Sequence, residues 1–265
     1  METVYKFINE KGEHLHTFEG KPLIGTSTVM SVLAKPLTWW ASGLVCEKLG
    51  WLNSKKFTEE QRSATVAQRF EEIKKLKDKE YLALLDEAYK AHSTKLKDSA
   101  EAGTDLHSLL ENYVKECIKN EGTPLAHSVG EHEKVSKFVD WSMENVKKFI
   151  ASEAHCYSDK LWTGGIVDCV CELKDDTIGI IDFKSSKDSY DNQFIQTAGY
   201  DLQISENGLF TSEGAEILKL DKISWYAIIP FGREEFGVDF KRNTEQYREG
   251  FKSALTLYKL LNLNE

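Results

Sequence analysis

The sequence predicts an α/β fold in which a helical N-terminal half precedes a core of three strands, a helix and another strand. Two textures predict it. From residue 58 to about residue 119 the chain is almost entirely made of helix formers. From residue 155 onward, β-branched and aromatic residues gather in short runs bounded by turn residues. A third observation removes the alternatives: 41% of the 265 residues are hydrophobic and only four are proline, which excludes disordered, collagen-like and low-complexity chains.

The elements follow in order. Residues 4–8 and 15–18, on either side of Glu10-Lys11-Gly12-Glu13, read as a small hairpin. Thr26-Ser27-Thr28 offers N-cap hydroxyls for a short helix ending at Leu33. Pro36 suits the first turn of the next helix, which carries Trp39 and Trp40 towards Gly50. Thr58 with Gln61 has the form of a capping box, and the helical stretch it opens reaches Lys119 with Gly103 as the main interruption. A further helix is expected over about 131–152, where Val135, Phe138, Val139, Val146, Phe149 and Ile150 recur at core-like spacing. Strands are expected over 155–157, 166–173 and 178–183, with Asp175-Asp176 turning the last two. Then come a helix over 193–204, a polar loop around Asn207-Gly208, and a buried strand over 223–229. A short strand near 236–240 and an amphipathic helix over 244–261 complete the order. With no internal repeat and no Pro/Gly-rich linker, the expectation is one domain, 1–265: an N-terminal hairpin and helical region (1–98) and a core (99–265).

Charge excludes one class of function. Against 34 Lys+Arg stand 43 Asp+Glu, a formal −9, whereas proteins that coat nucleic acid non-specifically present a basic field. The distribution says more than the sum. Residues 51–100 carry 11 basic and 9 acidic side chains, net +2; residues 151–200 carry 4 and 9, net −5. Five scattered cysteines, an N-terminus without a basic-then-apolar leader, and no apolar run of membrane-spanning length point to a cytoplasmic protein. No contact with a membrane is expected.

Three segments carry residues suited to chemistry. In Gly103-Thr104-Asp105-Leu106-His107, followed by Glu111, the helical period puts Thr104, His107 and Glu111 on one side, with Leu106, Leu109, Leu110 and Tyr113 as anchors. Such a pair also occurs as plain surface decoration. In Trp162-Thr163-Gly164-Gly165-Ile166-Val167-Asp168, a glycine pair leads into a strand with an aspartate among apolar residues. The glycines mark a bulge or the close approach of another backbone, a phosphate backbone included; a hairpin turn with an edge-strand Asp is the plainer reading. In residues 178–186, strand alternation turns Asp182 and Lys184 to one side and Ile181 and Phe183 to the other. A salt bridge would explain that pair alone. Taken with Asp168, it suits a divalent cation and a water: two hard oxygen ligands, and a lysine to orient or deprotonate the nucleophile. On the next helix Gln196 and Tyr200 share a face.

These residues resemble the PD-(D/E)XK nuclease superfamily, specifically its RecB-like, phage-type exonuclease branch. The motifs stand in that branch's order: Gly103-Thr104-Asp105-Leu106-His107 with Glu111, Gly165-Ile166-Val167-Asp168, Asp182-Phe183-Lys184, and Gln196 to Tyr200. The match spans roughly residues 100–204. The resemblance implies a restriction-endonuclease-like mixed central sheet flanked by helices, with 99–265 as the nuclease core. It implies Mg²⁺ or Mn²⁺ held by His107, Asp168, Asp182 and the main-chain carbonyl of Phe183, with Glu111 as a supporting carboxylate and Lys184 as the catalytic lysine. Gln196, Tyr200, Thr104 and Ser185 would meet the substrate. Iron–sulfur members of the branch carry a C-terminal cysteine cluster, and no cysteine follows Cys171 here, so no such cluster is expected. Cys169 and Cys171 read instead as small core hydrophobes.

The function this implies is metal-dependent hydrolysis of DNA phosphodiester bonds, more exonuclease than endonuclease, in recombination, repair or phage DNA processing. If the chain is phage-encoded, it would act in the host cytoplasm. The substrate would be single- or double-stranded ends, and the resemblance leaves room for a recombination or replication protein as partner. An endonuclease, an RNA-directed nuclease and a catalytically silent DNA-binding protein on the same fold remain open. Trp39, Trp40, Lys55, Lys56, Arg62 and Arg69 read either as a stacking groove for a single strand or as a charged helical face with its tryptophans packed inward.

Overall fold

A computed structural model describes residues 5–10, 13–34, 37–126 and 132–263. Contacts divide the chain into two units, Met1–Ala34 with Gly103–Glu265, and Lys35–Ala102.

The first unit opens with β1 (Tyr5–Glu10) and β2 (Glu13–Phe18), antiparallel from Tyr5↔Phe18 to Glu10↔Glu13, as the hairpin pattern predicts. β3 (Lys21–Pro22) extends this sheet. The hairpin falls in the same unit as residues 103–265. Tyr5 stacks on Tyr157 with ring centroids 4.6 Å apart and clusters with Leu23 and Phe210. After β4 (Ile24–Gly25) comes α1 (Thr26–Val29), continued by a 3-10 turn over Met30–Leu33. No side chain caps α1. Thr26 donates its hydroxyl proton instead to the Gly164 carbonyl at 3.0 Å.

The second unit holds α2 (Thr38–Lys48), α3 (Glu59–Ile73) and the N-terminal part of α4 (Asp78–Lys119), whose C-terminal part belongs to the first. The predicted capping box forms: Thr58 N–H reaches Gln61 Oε1 at 2.9 Å, and Gln61 N–H reaches Thr58 Oγ1 at 3.3 Å. Gly103 does not interrupt the helix. The break falls at residues 74–77, and α4 runs 42 residues through the glycine. A helix-interior glycine costs only about 1 kcal/mol, and the buried Leu106, Leu110, Tyr113, Val114 and Cys117 fix the face that follows it. The tryptophans are not packed inward: α2 buries no residue, and Trp39 is 90% exposed. Pro36 lies outside the described residues.

The helix expected over 131–152 ends early. α5 (Glu133–Asn145) gives way to β5 (Val146–Ser158), the longest strand, paired antiparallel with β6 (Thr163–Leu173). The ladder carries register shifts between Val146 and Lys148 and between Phe149 and Ala151. The extra residue puts Val146 and Phe149, three apart, into one core cluster, which imitates a helical period. Then follow β7 (Ile178–Lys184), α6 (Asp191–Asn207), β8 (Leu209–Phe210), β9 (Glu216–Leu218), β10 (Trp225–Pro230), β11 (Asp239–Lys241) and α7 (Glu245–Asn262).

The large sheet has the order β11-β10-β7-β6-β5-β8-β9, with β4 joining β6. It is mixed: β7 and β10 are parallel, while β5, β6 and β7 form an antiparallel meander. Helices flank it. On one face, α4 and α5 bring Leu110, Tyr113, Phe138 and Val139 against Phe149, Cys169, Cys171, Ile181 and Phe183. On the other, α6 and α7 bring Phe194, Ala198, Ile204 and Tyr247 against Val167, Val170, Ile180 and Ile228. A buried ion pair pins the second layer. Arg248 grips Asp201 with Nε–Oδ2 at 2.7 Å and Nη2–Oδ1 at 2.8 Å, and Tyr226 on β10 donates to the same carboxylate. No single helix among the described residues is long and apolar enough to cross a membrane.

Candidate metal centre

The meander sets three acids side by side. Ser152↔Cys169 and Ala154↔Val167 bracket Glu153 opposite Asp168, and Cys169↔Ile181 is the last pair before Asp168 comes beside Asp182. There the ladder ends and a side chain replaces the backbone: Phe183 N–H donates to Asp168 Oδ2 at 2.8 Å. Alternation along β7 is as predicted. Ile181 and Phe183 enter the core under α4 and α5, while Asp182, 2% exposed, turns the other way and pairs with Lys184 at 2.7 Å.

From α4, anchored by Leu106 and Leu110, His107 donates from Nε2 to the Phe183 carbonyl at 2.8 Å and sets its ring edge-on to that of Phe183. The two non-carboxylate ligands that the resemblance implies thus face each other. Glu111, one turn on, is partly exposed and ion-paired with Lys115. Gln196 Nε2 donates to the Tyr200 hydroxyl at 2.7 Å, and Tyr200 is buried. Ser185 is exposed just beyond β7, and the side chain of Thr104 lies outside the described residues.

The glycine pair serves the protein's own packing. A Cβ on Gly165 would lie 2.6 Å from Tyr200 Cε1 and 2.7 Å from Thr26 Oγ1; one on Gly164 would lie 2.7 Å from His16 Cβ. The close approach read from these glycines is therefore made by side chains from β2, α1 and α6. Cys169 and Cys171 are buried free thiols in the core, in keeping with small hydrophobes.

Glu153 is the residue that sequence reasoning missed. One ligand atom from each of His107, Glu153 and Asp168 lies within 4.8 Å of the others. Burial, then the charges of Asp168, Glu111 and Asp182, push the Glu153 carboxyl up to about 8 against the pull of Lys115. Burial and then Asp182 push Asp168 up to about 6, opposed by Lys184, His107 and the Phe183 N–H. For Lys184, burial opposes the charge, but Asp182 and Asp168 outweigh it and raise the pKa, so the ammonium persists. Glu153, Asp168 and Asp182 thus outnumber the Lys184 ammonium they crowd, which pairs with Oδ2 of Asp182. Hard carboxylate oxygens, a carbonyl and an imidazole, short of one or two positive charges, are a donor set that fits a divalent cation.

The chain matches no protein-family model and no curated protein sequence. The functional reading therefore stands on the four motifs and on the geometry that gathers them.

Proposed function

We propose that the chain is a divalent-metal-dependent nuclease that hydrolyses phosphodiester bonds in DNA. The observation that carries this reading is the meeting of Asp168, Asp182 and Lys184 at one end of the β6–β7 pair, with His107 on the carbonyl between Asp182 and Lys184. Sequence separation makes that meeting informative, because His107 stands 76 residues from the carbonyl it touches.

The residues divide the work. His107, Asp168, Asp182 and the Phe183 carbonyl would hold Mg²⁺ or Mn²⁺, which supplies Lewis-acid polarisation of the phosphate and a lowered pKa for bound water. Lys184, kept as an ammonium by Asp182, stabilises negative charge developing on the phosphoryl oxygens and orients the attacking water. It becomes a base only where the charge of those acids is taken up elsewhere. Tyr200, fixed by Gln196, shapes the wall beside the scissile phosphate. The net −9 of the chain makes substrate affinity depend on the cation. Motif order favours an exonuclease on DNA ends, in the cytoplasm, in recombination, repair or phage DNA processing, with a recombination or replication protein as the class of partner.

The test is cleavage of end-labelled linear single- and double-stranded DNA, closed circular DNA and RNA in Mg²⁺, Mn²⁺ or EDTA. Linear DNA should be degraded only with metal, and Asp182→Ala and Lys184→Ala should each lose at least ~100-fold, the scale of a general acid–base or electrostatic contribution. Degradation that persists in EDTA, or survives both substitutions, overturns the proposal. Cutting of closed circles as fast as linear ends replaces exonuclease with endonuclease.

A further inference from the structure

We infer that Glu153 is a ligand of the divalent cation, supplying a carboxylate outside the four motifs, and that its partnership with His107 makes the centre prefer Mn²⁺ to Mg²⁺. The inference rests on the reading of this site as a cation centre; it does not depend on which bond is cut.

The geometry points to it in three ways. The ligand atoms of His107, Glu153 and Asp168 lie within 4.8 Å of one another. Bonds of about 2.1 Å in an octahedron put ligand atoms roughly 3 Å apart when adjacent and about 4.2 Å when opposite, so small side-chain movements bring all three onto one ion. Glu153 also takes a left-handed φ of 48° in the middle of β5, where no turn asks for it. A non-glycine residue held there costs on the order of 1–3 kcal/mol and persists where the surroundings enforce it, commonly at functional sites. Beside them, Asp182 is 2% exposed and adds a third carboxylate, ion-paired through its Oδ2 with Lys184 at 2.7 Å. The metal preference follows from ligand type. Mg²⁺ favours oxygen ligands and retains its waters, whereas an imidazole nitrogen shifts the balance towards a transition metal such as Mn²⁺.

The full chain, stripped of metal, is titrated with Mn²⁺ while free Mn²⁺ is followed by electron paramagnetic resonance, with Mg²⁺ as competitor. Wild type should bind Mn²⁺ at least 10-fold more tightly than Mg²⁺. Glu153→Gln should weaken Mn²⁺ by 10-fold or more, while Glu172→Gln, at a surface acid paired with Lys147, should change nothing. Glu153→Cys should turn the preference from Mn²⁺ to Cd²⁺, because a thiolate replaces a carboxylate; a merely structural glutamate would show no such exchange. Wild-type Mn²⁺ affinity in Glu153→Gln, or no turn towards Cd²⁺ in folded Glu153→Cys, overturns the inference. If Mn²⁺ binds through Glu153 and no nucleic acid is cut, the nuclease reading falls and this one stands. If DNA is cut and Glu153→Gln binds Mn²⁺ normally, this one falls alone.

Discussion

Glu153→Gln is expected to stabilise the protein when no cation is present, and to do so only at high pH. The folded state holds the Glu153 carboxyl up to about 8, against an ordinary value of 4.5, with burial as the first cause and the neighbouring acids Asp168, Glu111 and Asp182 next. Between those two pH values the folded protein keeps a proton that the unfolded chain has released. Stability therefore falls as pH rises from about 4.5 and reaches its full penalty only above about 8. At about 1.4 kcal/mol per pH unit the ceiling is roughly 4–5 kcal/mol. Glu153 is only half-buried, and solvent screening brings the expected penalty nearer ~2 kcal/mol. Glutamine keeps the shape and removes the charge. For a chain of this size ~2 kcal/mol corresponds to a rise in Tm of about 4–8 °C at pH 8.

The assay is a set of thermal melts at pH 5, 6.5 and 8 in EDTA, followed by circular dichroism. The gap between variant and wild type should be close to zero at pH 5 and open steadily towards pH 8. Saturating Mn²⁺ should then reverse the order, since an ion at 100 times its Kd adds about 2.7 kcal/mol to the protein that binds it. A gap of equal size at pH 5 and pH 8, or a variant less stable than wild type at pH 8 in EDTA, would refute the claim that burial and like charge strain this carboxylate.

Two further outcomes follow from the packing. Asp201→Asn removes the acid of the buried pair that ties α6 to α7 and β10, and leaves Arg248, 23% exposed, without its counter-charge; about 3 kcal/mol should be lost, read as a Tm lower by ~6–12 °C. Two glycines should respond with opposite signs in urea denaturation. Gly165→Ala forces a methyl to 2.6 Å from the Tyr200 ring and should cost about 1–3 kcal/mol, whereas Gly43→Ala, within α2 and 4.0 Å from the nearest Trp51 atom, should gain about 0.5–1 kcal/mol. Equal effects at the two positions would mean that close approach is not what Gly165 provides.

Elements whose cause is local were readable from the chain itself. The Thr58–Gln61 box needs only residues three apart, and the hairpin only its turn and alternation. Elements whose cause is distant were not. Thr26 looks like a cap, yet its hydroxyl is taken by a carbonyl 138 residues away. Val146 and Phe149 look helical because a register shift against β6, invisible in a single strand, returns both to one face. Gly103 looks like a stop because its own propensity is poor, while the cluster of Leu106, Leu110 and Tyr113 that holds the helix on course is read only against α5 and the sheet.

The same distinction separates the site residues. Asp168, Asp182, Lys184 and His107 each sit in a short pattern on an element with a clear period, so their types and order were informative before any contact was known. Glu153 sits in Ala151-Ser152-Glu153-Ala154, which carries no motif, and only the pairing of β5 with β6 brings it opposite Asp168. One trace of it was present: it is among the nine acids behind the net −5 of residues 151–200. That excess has a physical cost, because carboxylates forced together in a half-buried place oppose folding until something neutralises them. The cost is also the source of affinity. A cation that relieves the repulsion gains the free energy the folded protein was losing, so the proposed centre binds its ion more tightly to the extent that it destabilises the chain without it. Substitutions of Glu153 or Asp168 that raise stability in EDTA should therefore weaken Mn²⁺ by a corresponding amount, and a carboxylate whose loss did one without the other would be part of the fold and not of the centre.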